Sequence, residues 1–155
     1  MRFFICLISL LLTAGLNTAV GEDVKTATPR GMSLRLELFV TDLQKSVDFY
    51  TNVLGFERMD GTPDYVPVRF DSVLIALGPA AGLPKQHHFR PDIETSRRGL
   101  GVEIVLEVDD VKTIFEKVRA TGYKGNLSPL RKRSWGATDF RVVDPDGYYL
   151  RITSR

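Results

Sequence analysis

Cysteine is almost missing from this chain. The single thiol, Cys6, lies close to the amino terminus, so no disulfide framework, thiolate metal site or cysteine nucleophile is available downstream of it. Histidine is nearly as scarce, with only His87 and His88. Adjacent residues of extended chain point in opposite directions, so this pair reads as two surface histidines rather than a chelate. A Ser-His-Asp triad has almost no material to draw on. No Gly-rich phosphate loop, nucleophile elbow, zinc-protease helix or kinase set is present. An excess of one charge is lacking too: 21 Lys and Arg stand against 19 Asp and Glu. That balance excludes a dedicated nucleic-acid surface. The densest basic cluster, Arg131-Lys132-Arg133, is too short for a polybasic arm and reads as a solvated loop. Long apolar runs are absent as well. The longest, residues 3–16, is broken by Ser9 and Thr13 and falls short of the ~20 residues of a membrane span.

What is present at the amino terminus has the form of an export signal. Arg2 precedes the apolar run, and the small residues Ala19 and Gly21 follow it, which predicts a cleaved signal peptide over residues 1–21. A secreted or extracytoplasmic protein with no membrane attachment after cleavage is the corresponding expectation. The other reading is initiation at Met32 and a cytoplasmic protein. Residues 22–32 are polar, carry Pro29 and Gly31, and read as a linker. The remainder is long enough to hold a core without disulfides.

From Leu34 one pattern occurs twice. Leu36, Leu38 and Val40 alternate with Arg35, Glu37 and Phe39, the signature of a half-buried strand. Asp42 stands where an N-cap belongs, Leu43, Val47, Tyr50 and Leu54 follow at helical spacing, and Gly55 closes the helix. Strands are predicted near 56–59, 65–70 and 73–77. In the second pass Ile104, Leu106 and Val108 alternate with Glu103, Val105 and Glu107. Asp110 caps a helix striped by Val111, Ile114, Phe115 and Val118, and Gly122 ends it. Strands are predicted near 123–125, 138–143 and 148–153, with the turn Asp144-Pro145-Asp146-Gly147 between the last two. Setting Arg35 against Glu103 brings Asp42 onto Asp110, with one extra residue in the first helix. The prediction is an α+β domain over 33–155 made of two tandem β-α-β-β-β modules, 33–78 and 101–155, joined by a connector over 79–100.

The segments Leu36-Glu37-Leu38-Phe39-Val40-Thr41-Asp42-Leu43 and Val53-Leu54-Gly55-Phe56, with the closing Asp144-Pro145-Asp146-Gly147-Tyr148, resemble the vicinal oxygen chelate superfamily. Its members include glyoxalase I, extradiol dioxygenases and bleomycin-resistance proteins. The resemblance implies paired modules whose curved sheets form a cleft, and often a homodimer. In metal-using members four side chains from the first and last strands of the modules hold a divalent ion. Carried over one position at a time, these are Arg35, Ala76, Glu103 and Arg151. Arginine has no lone pair to offer and alanine no donor, so only Glu103 could ligate. The expectation is no metal, no cofactor and a likeness to the metal-free members.

Strand alternation turns Arg35, Glu37, Phe39, Leu74, Ala76, Glu103, Val105, Glu107, Tyr149 and Arg151 toward the cleft, joined by Tyr65, Arg69, Asp139 and Arg141. Arg35, Glu103 and Arg151 are expected as neighbours, either as a structural ion-pair cluster or as a site for an anionic ligand. Phe39 and Tyr149 could flank an aromatic portion. Trp135 either covers the cleft mouth or anchors on the core. The predicted function is binding of a small anionic or aromatic organic compound. The alternatives are a metal-free lyase, isomerase or cyclase using Glu103 as acid or base, and a metal-dependent glyoxalase- or dioxygenase-type enzyme.

Overall fold

The computed structural model describes residues 31–90 and 92–155, and the compact unit runs from Ser33 to Arg155. The expected signal peptide and most of the linker lie outside the described residues. Strand β1 (Leu36–Val40) leads into helix α1 (Leu43–Asp48), which continues as a π-helical turn over Phe49–Val53, and strands β2 (Glu57–Arg58), β3 (Val66–Phe70) and β4 (Val73–Pro79) follow. After the connector come β5 (Glu103–Val108), α2 (Val111–Ala120), β6 (Arg131–Lys132), β7 (Thr138–Val143) and β8 (Tyr149–Ser154). The two sheets have matching orders, β1-β4-β3-β2 and β5-β8-β7-β6. In each, the first strand pairs parallel with the last, and the remaining pairs are antiparallel.

Each helix begins as the sequence dictates. Asp42 accepts the backbone N–H of Lys45 at 3.0 Å, and Asp110 accepts that of Thr113 at 2.9 Å, satisfying donors that the first turn leaves free. Gly55 and Gly122 end the helices at φ 80° and 69°, a region in which a side chain would be strained. The extra residue of the first helix is absorbed by the π-helical turn, since one residue inserted into an α-helix widens a single turn. That turn carries Phe49 and Tyr50, both buried.

One core serves both modules. It joins Leu38, Val40, Ile75 and Leu77 of the first sheet to Phe140, Val142, Leu150 and Ile152 of the second, with Val47, Tyr50, Phe115 and Val118 from the helices. The closing turn docks on the first module. Asp146 accepts the Thr41 N–H at 2.7 Å and the Ser46 hydroxyl at 3.1 Å, and the Tyr50 hydroxyl reaches Asp144 at 3.3 Å. Tyr148 donates its hydroxyl to the Phe39 carbonyl at 3.1 Å. These links and the core both lie away from the open sheet faces.

One strand is displaced from its expected place. Residues 123–125 form no strand, and β6 lies instead at Arg131–Lys132. Tyr123 turns inward, its ring 5.0 Å from that of Phe49 and its hydroxyl donating to the Val143 carbonyl at 2.8 Å. The chain meets β7 just after this anchor, where Asn126 accepts the Val143 N–H at 2.9 Å and Ser128 donates to the Arg141 carbonyl at 2.8 Å, ahead of the regular pairing at β6.

Candidate functional site

On the first module the alternation of β1 leaves Arg35, Glu37 and Phe39 on the face away from the core. Arg35 and Glu37 form an ion pair of 2.6 Å, with side chains 52% and 41% exposed. The Tyr65 hydroxyl donates to the same carboxylate oxygen at 3.2 Å. Burial, and then the charge of Glu37, push the Tyr65 hydroxyl above its ordinary pKa. Gly61 makes this placement possible, because a Cβ there would collide with the Tyr65 carbonyl oxygen. A cavity of about 130 Å³ opens beside these groups, lined by Glu37, Phe39, Tyr65, Ala76, Gly78 and Leu83. The connector bounds it. His87 and Phe89 meet the Phe39 ring at centroid distances of 5.4 and 5.7 Å, so His87 is partly buried packing rather than a free surface residue, while His88 is exposed.

The second module presents Glu103, Val105, Glu107, Tyr149 and Arg151 on its open face. Arg151 Nε lies 3.6 Å from Glu103 Oε1, close enough for charge attraction and too far for a hydrogen bond. That N–H is buried without a partner. Glu107 is exposed, and Tyr149 is 38% exposed. Trp135 tops the β6–β7 hairpin, which closes through Arg133 N–H to the Ala137 carbonyl at 2.7 Å. It is 63% exposed and stands 6.0 Å from the Arg133 guanidinium, not anchored on the core.

Arg35 and Glu103 form no ion pair. The partner of Arg35 is Glu37, and Glu103 faces Arg151. The more extensive charge cluster is one that strand alternation only half indicated. Asp139, fully buried, receives Arg133 at 2.6 Å and Arg141 at 2.7 Å. Asp139 and Arg141 alternate with the core residues Phe140 and Val142, so their shared face is legible in the sequence. Arg133 sits in a run of like charges that reads in the sequence as solvated loop, yet its side chain is only 21% exposed.

The four positions that the resemblance assigns to metal ligands occupy equivalent places in the two sheets. Ala76 lies opposite Glu37, two residues beyond Arg35, and Arg151 lies opposite Val105, two residues beyond Glu103. The positions are therefore matched, and their donor set is one carboxylate, two guanidiniums and a methyl group. That set does not fit a divalent ion.

A larger cavity, about 250 Å³, lies on the helix side between the β3–β4 turn and α2, lined chiefly by Phe56, Phe70, Val73, Leu106, Val108 and Ile114. Two of the four acids that line it are already engaged: Asp110 caps α2, and Asp109 pairs with Arg155 at 2.8 Å. The open sheet faces, with unspent donors, are the stronger candidate site.

Residues 33–152 match the Glyoxalase/Bleomycin resistance protein/Dioxygenase superfamily, and the chain belongs to that family. A lactoylglutathione lyase of Escherichia coli O157:H7 is 32% identical over 126 residues, covering 77% of this chain and 89% of the relative. Among solved structures, a glyoxalase/bleomycin resistance protein/dioxygenase from Nocardioides superimposes with a TM-score of 0.65 at 25% identity, covering 83% of this chain and 86% of that one. A bleomycin resistance determinant encoded on the transposon Tn5 gives 0.61 at 18% identity, covering 81% and 98%, and shares the fold.

Proposed function

We propose that this protein binds a small organic compound, anionic and in part aromatic, on the open faces of its two sheets, without a metal ion. The observation that carries this reading is the donor set at Arg35, Ala76, Glu103 and Arg151, which offers guanidinium groups where metal chemistry needs lone pairs. Phe39 and Tyr65 supply apolar surface and a hydroxyl in the first module, and Arg151 supplies an unpartnered N–H in the second. Glu37, Glu107, Tyr149 and Trp135 complete the proposed ligand surface. The first and last-named strands of the site, β1 and β5, are edge strands flanked by exposed Leu34, Val102 and Val105. Edges of this kind invite pairing, and a homodimer is part of the proposal. An extracytoplasmic location remains part of it as well.

The test is elemental analysis of chain purified without chelators, beside titration of bound small molecule and light scattering for mass. About one equivalent of zinc, nickel, iron or manganese per chain would overturn the metal-free reading. A monomeric mass would remove the dimer.

The similarity to lactoylglutathione lyases favours a second reading, a metal-free lyase or isomerase. Glu103 would accept or deliver a proton while Arg151 and Arg35 stabilise an oxyanion, where fixed charge acts most strongly. Bound compound recovered unchanged after long incubation excludes it. Conversion that is lost in Glu103→Gln establishes it.

A further inference from the structure

The open face of the second sheet carries two arginines, Arg133 and Arg141, that the matched metal positions do not account for. Asp139 Oδ1 accepts Arg133 Nε at 2.8 Å and Arg141 Nη1 at 2.7 Å, and Arg133 Nη2 also lies 2.6 Å away. Two guanidiniums thus converge on a single carboxylate oxygen. Oδ2 of the same residue is buried with no partner, so the carboxylate is committed to one side. Arg141 lies directly opposite Arg151 across the β7–β8 ladder. Like charges at facing positions repel and destabilise a sheet, and the nearest relief for Arg151 is Glu103, 3.6 Å away. Three guanidiniums therefore meet two carboxylates on this face. Adding Arg131 and Glu107 at the rim leaves the same excess of one positive charge. The side chains of Arg133, Arg141 and Arg151 are 21%, 20% and 26% exposed, so this charge is largely shielded from water and still reachable from outside.

We propose that Arg133, Arg141 and Arg151 form an oxyanion subsite, with Asp139 a positioning residue that holds the first two guanidiniums with their remaining N–H groups outward. The ligand class is a small organic molecule bearing a carboxylate or phosphate group, since planar guanidinium forks match the paired oxygens of both. Trp135, beside Arg133 at the hairpin tip, offers a face for the ring of such a molecule. The inference deepens the binding function proposed above, assigning its anionic part to the second module.

Trp135 is the only tryptophan, so its fluorescence reports on this corner. The full chain is titrated with phenyl phosphate, benzoate and the neutral benzyl alcohol. Saturable binding of one or both anions, with benzyl alcohol about tenfold weaker or more, is expected. The two anion arms distinguish a phosphate from a carboxylate ligand. Arg141→Lys keeps the charge and removes the fork, and is expected to weaken the anion about tenfold. Arg133→Gln should do the same, and Arg58→Gln, on β2 of the other module, should change nothing. Asp139→Asn separates positioning from plain attraction. It raises the net positive charge, so unspecific attraction would strengthen the anion, whereas loss of positioning weakens it. If that variant does not fold, Arg141→Lys, checked by circular dichroism, decides alone. Anion binding unaltered in folded Arg141→Lys and Arg133→Gln overturns the subsite. Tight benzyl alcohol binding that is lost in Phe39→Ala overturns the subsite and leaves the broader binding function standing. Failure of all three probes overturns both.

Discussion

In the first module, Glu37, Phe39 and Tyr65 surround a cavity floored by Ala76 and Gly78, and the ion pair Arg35–Glu37 is half exposed. In the second, the corresponding face is crossed by Arg133, Arg141 and Arg151, and its central carboxylate, Asp139, is fully buried. The sheets share strand order, and the first three strands of each order share register, so Arg141 and Arg151 differ from their counterparts by side chain alone. Arg133 comes from the β6–β7 hairpin, whose pairing differs from that of β2 and β3. One half offers aromatic surface and space, the other fixed charge. The helices differ in the same spirit. The residue eight positions after each capping Asp is buried in both, and it is Tyr50 in the first module and Val118 in the second. The π-helical turn accommodates the larger ring and aims its hydroxyl at Asp144 of the closing turn. A duplicated topology has thus kept its backbone plan while dividing the chemistry.

The largest expected effects test the charge contrast. Asp139→Ala strands two partly buried guanidiniums and should cost roughly 3–5 kcal/mol in denaturant unfolding. Glu37→Ala, which breaks an exposed pair, should cost at most about 1 kcal/mol. Equal costs would erase the distinction between the faces.

The helices come next. Tyr50→Ala removes a buried ring and its link to Asp144 and should cost about 3–5 kcal/mol, against roughly 2 kcal/mol for Val118→Ala. A smaller loss at Tyr50 would show that the π-helical turn is not the tighter of the two.

A third comparison sets two carboxyls of opposite pH behaviour side by side. Burial raises Asp144 from an ordinary 3.8 to about 6, despite the Tyr148 and Asp146 N–H groups that favour its anion. A raised acid is most favourable to folding when protonated. Its contribution is therefore full below about pH 4 and lost as pH rises through about 6, a change of roughly 2–3 kcal/mol. Hydrogen bonds from Thr113, side chain and then backbone, lower Asp110. Its contribution is present above its unfolded pKa and is lost as pH falls through the lowered value. Unfolding followed from pH 3 to 8 should lose the neutral-side decline in Asp144→Asn and keep it in Asp110→Asn. The reverse pattern would contradict the assigned environments.

The smallest effect is at the first helix cap. Asp42→Ala should cost about 1 kcal/mol, visible as a small shift of the unfolding midpoint.

Local features of the fold were legible because they follow from chain chemistry within a few residues. Alternation in Leu36–Val40 and Glu103–Val108 identified the buried faces, Asp42 and Asp110 the helix starts, and Gly55 and Gly122 the ends. The extra residue between Asp42 and Gly55 was visible too, though not the π-helical turn that absorbs it. The sequence by itself also determined the donor set at Arg35, Ala76, Glu103 and Arg151, since residue identity alone decides what can bind a cation. Tertiary structure alone decided which charges meet. Arg35 turned to Glu37, two residues along its own strand, and Arg133 left a run of like charges to reach buried Asp139 across a hairpin. Tyr123 likewise packs inward on Phe49, and the strand expected at 123–125 lies at Arg131–Lys132. Such pairings depend on how the folded backbone spaces side chains even a few residues apart, and long side chains select partners only after that spacing is set.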